Sequence, residues 1–492
     1  MTRGRDDAGR GDDRGDPGAG ADCGGVGAGD ERDPGDGSRV GRARALTDGG
    51  TTTADGSGTS VPLGRDLGLV VALMAGIYAL FVVFGVLLGY DLNGMVNSLQ
   101  RVTFLVAVYA MAVLALNLHW GYTGLFNIGV AGFMAVGAYA YAVLTAAPDA
   151  AVPGLGLHFT VGIVGAVVVA ALVGGLAALP ALRLRADYLA IVTIAFAEII
   201  RYLFRWPALQ TVDLGGVTLG TGAARGISPA DPDTEIVTLL VDNPLGAAVY
   251  GPIEAALVEA GVVPNVVRGW VYALVLLAVV AAFFVLLRRV GNSPFGRVLK
   301  AIREDEDVAK ALGKDTPRFK IKAFMLGCGL MGLVGVLWQA SRGFINPTDN
   351  FLPQVTFFVW IALIIGGAGS NTGSVLGGAL FASLLFEAPR FVVSVVERTF
   401  GLGSAPQTST AAVGQFVSGD LAAPLAYGLD NVNALRFVLV GVILVVLMQR
   451  RPDGLLGHRK EAAASIDLSK PVRRGSGDGP GDPEVAADGG EP

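Results

Sequence analysis

Long apolar blocks alternate with short polar connections along most of this chain. Ten blocks lie near residues 67–89, 99–119, 123–146, 160–182, 188–206, 270–288, 320–341, 354–369, 373–396 and 434–449. Most approach the roughly 20 residues that a helix needs to cross the hydrocarbon core, and their charges are concentrated between the blocks rather than along one face of each. The pattern predicts an all-α, polytopic integral membrane protein with roughly ten transmembrane or partly re-entrant helices. The pair at 354–396 is the irregular one, because its first member is short and ends in Gly366, Gly367 and Gly369. A broken or re-entrant segment is allowed there only if its backbone faces protein or water.

Composition agrees with a membrane protein. The 492 residues are 52% hydrophobic and 16% charged, whereas a soluble chain of this length spreads charge over the surfaces of several domains. Residues 1–66 are Gly and Asp with scattered Arg, too poor in large apolar side chains to offset chain entropy, and are read as a disordered tail. Residues 458–492 have the same character. The first Arg residues are not followed by an apolar stretch until Leu67, which is a poor match to a secretory signal. The net charge of -5 gives no reason to expect nucleic acid as a partner. Cys23, Cys328 and three scattered histidines, His119, His158 and His458, offer neither a disulfide framework nor a metal site.

Basic residues in short loops mark the cytoplasmic side of a membrane protein. The connection after the sixth block carries Arg288, Arg289, Arg297, Lys300, Arg303, Lys310, Lys314, Arg318, Lys320 and Lys322, and so is expected in the cytoplasm. Counting outward from it puts Arg183 and Arg185 inside, the acidic loop at 207–269 outside, and both termini inside with Arg450, Arg451, Arg459 and Lys460.

Asn292–Lys322 is the most informative stretch. Phe295, Val298, Leu299 and Ile302 fall on one face of a short helix. The acidic run Glu304–Asp307 opens a second helical stretch with Val308, Ala311 and Leu312, which Gly313 stops. Two readings of this helical pair remain open: an amphipathic element resting on lipid headgroups, or a docking site for a partner.

GRVLKAIREDEDVAKALG followed by RFKIKAF resembles the cytoplasmic coupling loop of permease subunits of branched-chain amino-acid ABC transporters. ALNLHWGYTGLFNIGVAGFMAVGAYA at 115–140, LRLRADYLAIVTIAFAEIIRYL at 182–203, IIGGAGSNTGSVLGGALF at 364–381 and RPDGLLG at 451–457 resemble further blocks of that family. The likeness implies a transmembrane permease domain over 67–457 that imports branched-chain or other small amino acids across the cytoplasmic membrane. It also implies a second homologous permease, two ABC ATPase subunits that hydrolyse the ATP, and an extracytoplasmic substrate-binding protein, with no cofactor on this chain. Membrane lipid surrounds it. By the same likeness the coupling loop, 289–319, presents Gly296, Arg297, Ala301, Arg303, Glu304, Asp305, Ala309, Leu312 and Gly313 to an ATPase. The translocation path is assigned to Asn117, Tyr122, Gly124, Asn127, Gly129, Glu198, Gly366, Gly367 and Gly369. The chain departs from the family in its tails, its loop at 207–269, an insertion near 398–433, and Asn127 and Val130 where Ser and His are more usual.

Physical readings stand beside that likeness. The glycines at 121, 124, 129, 132 and 137 either let helices approach closely or let an unwound segment present amides to a zwitterion. Glu198 lies roughly 17 Å along a helix from Asp187, near the bilayer midplane. It is either half of an internal ion pair with Arg201 or Arg205 or part of a substrate gate. Gly313-Lys314 is followed by Asp315, so there is no P-loop, and no nucleophile and base share a plausible surface. The chain is not expected to be an enzyme. An ABC permease for urea or short amides, an ion-coupled secondary transporter binding its ion at Glu198, and a membrane-anchored scaffold are the alternatives.

Overall fold

A computed structural model describes residues 63–181, 186–213, 215–400, 406–418, 422–430, 432–451 and 453–456. Arg183, Arg185, residues 1–62, the tail at 458–492 and part of the 398–433 insertion lie outside the described residues, whereas residues 63–66, expected to end the disordered N-terminal tail, are helical. The chain begins with α1 (Leu63–Leu88), α2 (Leu92–Asn117), α3 (Val130–Thr145), α4 (Phe159–Ala181) and α5 (Ala186–Arg205). A two-stranded hairpin, β1 (Val212–Asp213) and β2 (Thr218–Leu219), leads to α6 (Pro232–Val241) and α7 (Pro244–Glu259). Then come α8 (Pro264–Asn292), α9 (Pro294–Glu304), α10 (Glu306–Ala311), α11 (Thr316–Gln339), α12 (Pro353–Gly366), α13 (Asn371–Leu380) and α14 (Ala388–Phe400). The last elements are α15 (Ser409–Val417), α16 (Ala422–Asp430) and α17 (Val432–Arg450).

Local chemistry sets many of these boundaries. Proline opens α6, α7, α8, α9 and α12, where its missing N–H costs nothing and its φ suits a first turn. Asp91, Asn243, Ser293, Asp305, Asp315 and Ser370 accept hydrogen bonds from first-turn amides, the usual N-cap contribution of about 1 kcal/mol.

All ten apolar blocks are largely helical, but they are of different kinds. Among the described residues six helices are long and apolar enough to cross a membrane, or up to seven if α6 and α7, bent by 99°, count as one broken span. The helices at 123–146 and 354–369 are shorter than expected: α3 starts only at Val130 and α12 stops at Gly366. The first loses its leading residues to an unwound segment, and the second ends at Gly367, whose φ is +97°. The helix that covers the block at 188–206, α5, carries Asp187, Glu198, Arg201 and Arg205 and is not among the six long apolar spans.

The second helix is the axis of the bundle. From Val102 to Asn117 every side chain except Phe104 is buried, against α8, α11, α12 and α13. The fourth helix shows how a membrane bundle inverts soluble amphipathicity. Small Gly162, Ala166, Ala170, Gly174 and Ala178 face inward, while Val161, Val164, Val168, Leu172, Leu176 and Leu179 are exposed. Lipid solvates large apolar side chains as well as protein does, so close helix approach favours the small ones inside. A Cβ on Gly174 would lie 2.5 Å from Cβ of Cys328 on α11.

Helices 6 and 7 belong to the 207–269 loop, at the opposite end of α8 from α9. Its 29 residues make α8 about 43 Å long. Ile227 in that loop bridges Ile345, and the Tyr141 hydroxyl donates to Ala230 O at 2.9 Å.

The RPDGLLG motif has a structural role that its sequence does not suggest. Leu455 N donates to Ile365 O at 3.0 Å and Leu456 N to Gly366 O at 3.1 Å, so the segment that follows α17 satisfies the last carbonyls of α12, which a helix leaves without partners. Gly454 has φ +75°, and a Cβ there would stand 2.6 Å from Gly367 Cα. Gly454→Ala should therefore cost on the order of 1–3 kcal/mol and lower the thermal unfolding temperature in detergent. Gly441→Ala on α17, where a Cβ meets nothing within 4 Å, is the control and should leave that temperature unchanged or raise it.

Candidate functional site: chain breaks beneath a helical loop

The axial helix does not end cleanly. Its last turns widen into a π-turn, Leu118–Tyr122, and residues 124–129 are unwound before α3. Unpaired backbone in an apolar bundle costs several kcal/mol per group, so its hydrogen bonds must be found elsewhere, and most are. Leu125 N donates to His119 O, Ile128 N to Thr193 Oγ1, Gly129 N to Asn127 Oδ1 and Ala131 N to Thr356 Oγ1. The Trp360 indole N–H donates to Asn127 O at 3.0 Å. Thr193 comes from α5 and Thr356 and Trp360 from α12, so two neighbouring helices hold the unwound segment open. These amides are occupied by the protein itself rather than presented to a ligand.

Asn127 and His119 clamp its middle. The imidazole Nε2 lies 3.1 Å from Phe324 O and Nδ1 lies 3.1 Å from Asn127 Nδ2. A carbonyl only accepts, so Nε2 carries the proton and Nδ1 accepts from the amide. The ring stacks on Phe324 with centroids 4.7 Å apart. His119, set aside in the sequence as too scattered to bind a metal, is a buried structural clamp.

A second break joins α12 to α13 beside the first. Asn117 Oδ1 accepts from Gly369 N at 2.8 Å and its Nδ2 donates to Asn371 Oδ1 at 3.1 Å, which also accepts from the Tyr122 hydroxyl at 2.9 Å. A Cβ at Gly121 would lie 2.5 Å from Gly369 N, so only glycine permits this crossing. Gly366 and Gly373 pack the two halves of the hairpin backbone to backbone. The sequence-assigned residues Asn117, Tyr122, Gly124, Asn127, Gly129, Gly366, Gly367 and Gly369 thus surround two adjoining breaks. Asn371, Thr193, Thr356 and Trp360 complete the arrangement and were missed. The available signal was a polar or indole group inside an otherwise apolar helix.

Glu198 is not joined to this cluster. Arg201 Nε lies 3.1 Å from both of its carboxylate oxygens and Nη2 2.6 Å from Oε2, the i,i+3 ion pair of the simpler reading. Arg201 also lies over the Tyr202 ring at 4.8 Å. A deeper carboxylate escaped the sequence reading: Glu387, at the end of the π-turn Phe381–Glu387, is buried and accepts from Arg101 Nε of α2 at 3.0 Å.

Over the breaks lies the expected helical pair. Leu299 and Ile302 of α9 are buried, and Phe295 stacks on Phe319 of α11 at 5.4 Å. Asp305 caps α10 through the amides of Asp307 and Val308 at 2.9 and 3.0 Å. Gly313, φ +76°, ends it in the left-handed region, with Lys314 N bonded to Ala309 O. Glu306 then ties the pair to α11, accepting from Thr316 Oγ1 at 3.0 Å and from the Lys320 ammonium. Gly296 and Ala309 are buried, so they shape the loop rather than its surface. Arg297, Ala301, Glu304, Asp305, Leu312 and Gly313 are exposed, and Val308 and Leu312, at 54% and 71% exposure, form an apolar pair one turn apart at its tip. Arg303 turns inward instead: its Nη1 donates to Gly121 O.

Residues 98–386 match the family described as the permease component of branched-chain amino acid transport systems. The chain is 32% identical over 288 residues to the high-affinity branched-chain amino acid transport system permease protein LivM of Escherichia coli (strain K12), covering 56% of this chain and 60% of that one. It is 28% identical over 310 residues to the probable branched-chain amino acid transport permease protein LivM of Methanocaldococcus jannaschii, covering 57% of this chain and 79% of that one. A shorter stretch of 88 residues, 18% of this chain and 28% of the other, is 34% identical to the permease protein LivH of Escherichia coli (strain K12). The chain thus spans about six-tenths of the length of the Escherichia coli LivM protein. No solved structure matches it. With the matched region running from the axial helix α2 into the π-turn that ends at Glu387, and enclosing both chain breaks and the α9–α10 loop, this protein belongs to the family of branched-chain amino acid transport permease components.

Proposed function

We propose that this chain is the membrane-spanning permease subunit of an ATP-driven importer that carries branched-chain or other small amino acids across the cytoplasmic membrane. It works with a second permease of the same family, two ABC ATPase subunits and an extracytoplasmic substrate-binding protein. Both termini and the α9–α10 loop face the cytoplasm, no cofactor is bound by this chain, and its partners hydrolyse the ATP. Likeness to proteins named LivM and LivH, two different permease proteins of such systems, supports pairing with a relative.

The observation that carries this reading is the α9–α10 loop. It is capped by Ser293 and Asp305, anchored on α11 through Glu306, and displays an exposed apolar pair together with exposed Glu304, Asp305 and Asp307. A pre-organised apolar centre with a charged rim is what a protein partner recognises. Movement of the bound ATPases would shift the loop, and the broken helices beneath it provide the backbone that can change conformation without unravelling a continuous helix. Glu198, already held by Arg201 at two oxygens, is poorly suited to bind a coupling ion.

Purification of the tagged full-length protein from its native membrane in mild detergent should recover a second permease and P-loop ATPases. Reconstituted vesicles should accumulate radiolabelled leucine, isoleucine or valine when ATP is inside and all ion gradients are collapsed. Gradient-driven uptake by the chain alone would sink the importer reading, and uptake of urea in place of leucine would move the substrate class. Val308→Asp with Leu312→Asp, both on the surface, should change the stability of the fold by no more than about 0.5 kcal/mol each. It should nevertheless reduce ATPase recovery and uptake at least tenfold.

The Glu306 anchor has a pH dependence of known sign. Burial raises its carboxyl, but the hydrogen bond and charge of Lys320, with Thr316 and Lys310, outweigh that and hold it below the usual carboxylate range. A folded value below the unfolded one stabilises at pH above the unfolded value and is lost as pH falls through the folded one. Because Glu306 is about one-third exposed, the contribution is at most about 1 kcal/mol. Glu306→Gln should therefore unfold at a lower temperature than the parent at pH 7, with the difference fading below about pH 4.

A further inference from the structure

The α9–α10 loop carries one cation that does not face a partner. Arg303 is the penultimate residue of α9, and its Nη1 donates to Gly121 O in the π-turn that ends α2. Its Cγ stands 3.1 Å from where a Cβ of Gly124 would lie, and Nη1 stands 3.2 Å from where a Cβ of Gly369 would lie. One side chain therefore touches both chain breaks at the point where Gly121 and Gly369 meet. Three glycines leave the room for it. The Gly121 carbonyl belongs to the last turn of a helical run that starts at Leu92, an end that lacks internal donors and carries partial negative charge. A guanidinium satisfies both demands.

The outward edge of the same guanidinium is held by the loop. Nε donates to Glu304 Oε1 at 3.1 Å and Nη2 donates to the same oxygen. The Glu304 side chain is 70% exposed, against 30% for Arg303, so the carboxylate stands on the docking surface and the cation stands beneath it. One turn earlier on α9, the Lys300 ammonium lies 5.7 Å from the Tyr122 ring, a second grip on the same π-turn.

We infer that Arg303 is the transmission residue of this permease. It couples displacement of the α9–α10 loop to the π-turn at Gly121 and the α12–α13 break at Gly369, and it makes no ATPase contact of its own. The sequence-based assignment of Arg303 to the partner surface is thereby revised: Glu304 meets the partner, and Arg303 relays its position inward. A planar fork with donors on two edges can bridge a carboxylate and a carbonyl at once, which a lysine ammonium at the end of a flexible stem does less rigidly.

This inference rests on the importer reading, and the two can fail separately. The assembly recovered from native membrane would be reconstituted with ATP inside and radiolabelled leucine as the probe. Three quantities are measured: ATPase co-purification, leucine uptake, and ATP hydrolysed per leucine carried. Arg303→Ala should keep the ATPases bound and raise the ATP consumed per leucine at least tenfold. Arg303→Lys, which keeps the charge but not the two-edged fork, should fall between. Gly124→Ala crowds the Arg303 stem from the other side and should uncouple in the same direction, and combining it with Arg303→Ala should add little. Loss of ATPase co-purification in Arg303→Ala would make Arg303 a partner contact and overturn the inference while leaving the importer intact. An unchanged ATP-to-leucine ratio in a stably assembled Arg303→Ala or Arg303→Lys would also overturn it. If Arg303→Ala does not fold, the Arg303→Lys and Gly124→Ala ratios decide. Should the unmodified chain recover no ATPase, the importer reading fails instead.

Discussion

The hydrogen-bond demand of backbone that leaves the helix inside an apolar bundle shapes this protein more than any other constraint. A membrane interior offers no water to satisfy a loose amide or carbonyl, so each interruption must be answered by protein groups. The run 124–129 is answered by Thr193 and Trp360, the first turn of α3 by Thr356, the α12–α13 break by Asn117, the end of α12 by Leu455 and Leu456, and the π-turn of α2 by Arg303. Each answer arrives from a distant part of the sequence. The breaks therefore act as junctions: α5, α12 and the α9–α10 loop are tied to the central helix and the unwound segment that follows it, and the segment after α17 is tied to α12, through backbone groups that these helices cannot satisfy alone.

That arrangement explains the distribution of glycine. In α3, α4, α11 and α13 glycine serves close approach, as where Gly132 meets Ala197 and Gly378 meets Ala110. At the junctions it serves a different purpose, making room for a side chain or amide that does the bonding. The sequence alone left open whether glycines 121–137 let helices approach or free amides for a zwitterion; Gly132 and Gly137 pack helix on helix, whereas Gly121 and Gly124 flank an interruption whose amides at Leu125, Ile128 and Gly129 are bonded within the protein.

Much of the fold was legible from pattern. Bilayer-scale apolar blocks recur where helices are found, the amphipathic spacing of Phe295, Leu299 and Ile302 marks the inward face of α9, and the spacing of Glu198 and Arg201 anticipates their ion pair. What was illegible is mostly long-range. Nothing local separates the inward Arg303 from its exposed neighbour Arg297, because α9 crosses the π-turn at only one of the two positions. Likewise RPDGLLG reads as a tail motif until Gly454 is seen against Gly367. The start of α3 was misplaced because residues 123–129 are as apolar as a helix, and apolarity does not reveal where Gly124 (φ +71°) and the turn at Asn127 take the chain out of it.

The division of labour along the α9–α10 loop follows from the same physics. An apolar tip is stable in water only when isolated and small, and Val308 with Leu312 meets that condition. The cations nearest the bundle are placed where partial negative charge gathers, at a helix C-terminus and over an aromatic face. A loop built this way has two energetically different sides. Its outer side exposes apolar surface that would gain by excluding water against a partner of the kind proposed, while its inner side is already paired with the bundle. On the coupling role proposed above, force applied to the outer side would reach the π-turn, where the central helix is least regular, and the adjoining α12–α13 break before the loop itself yields.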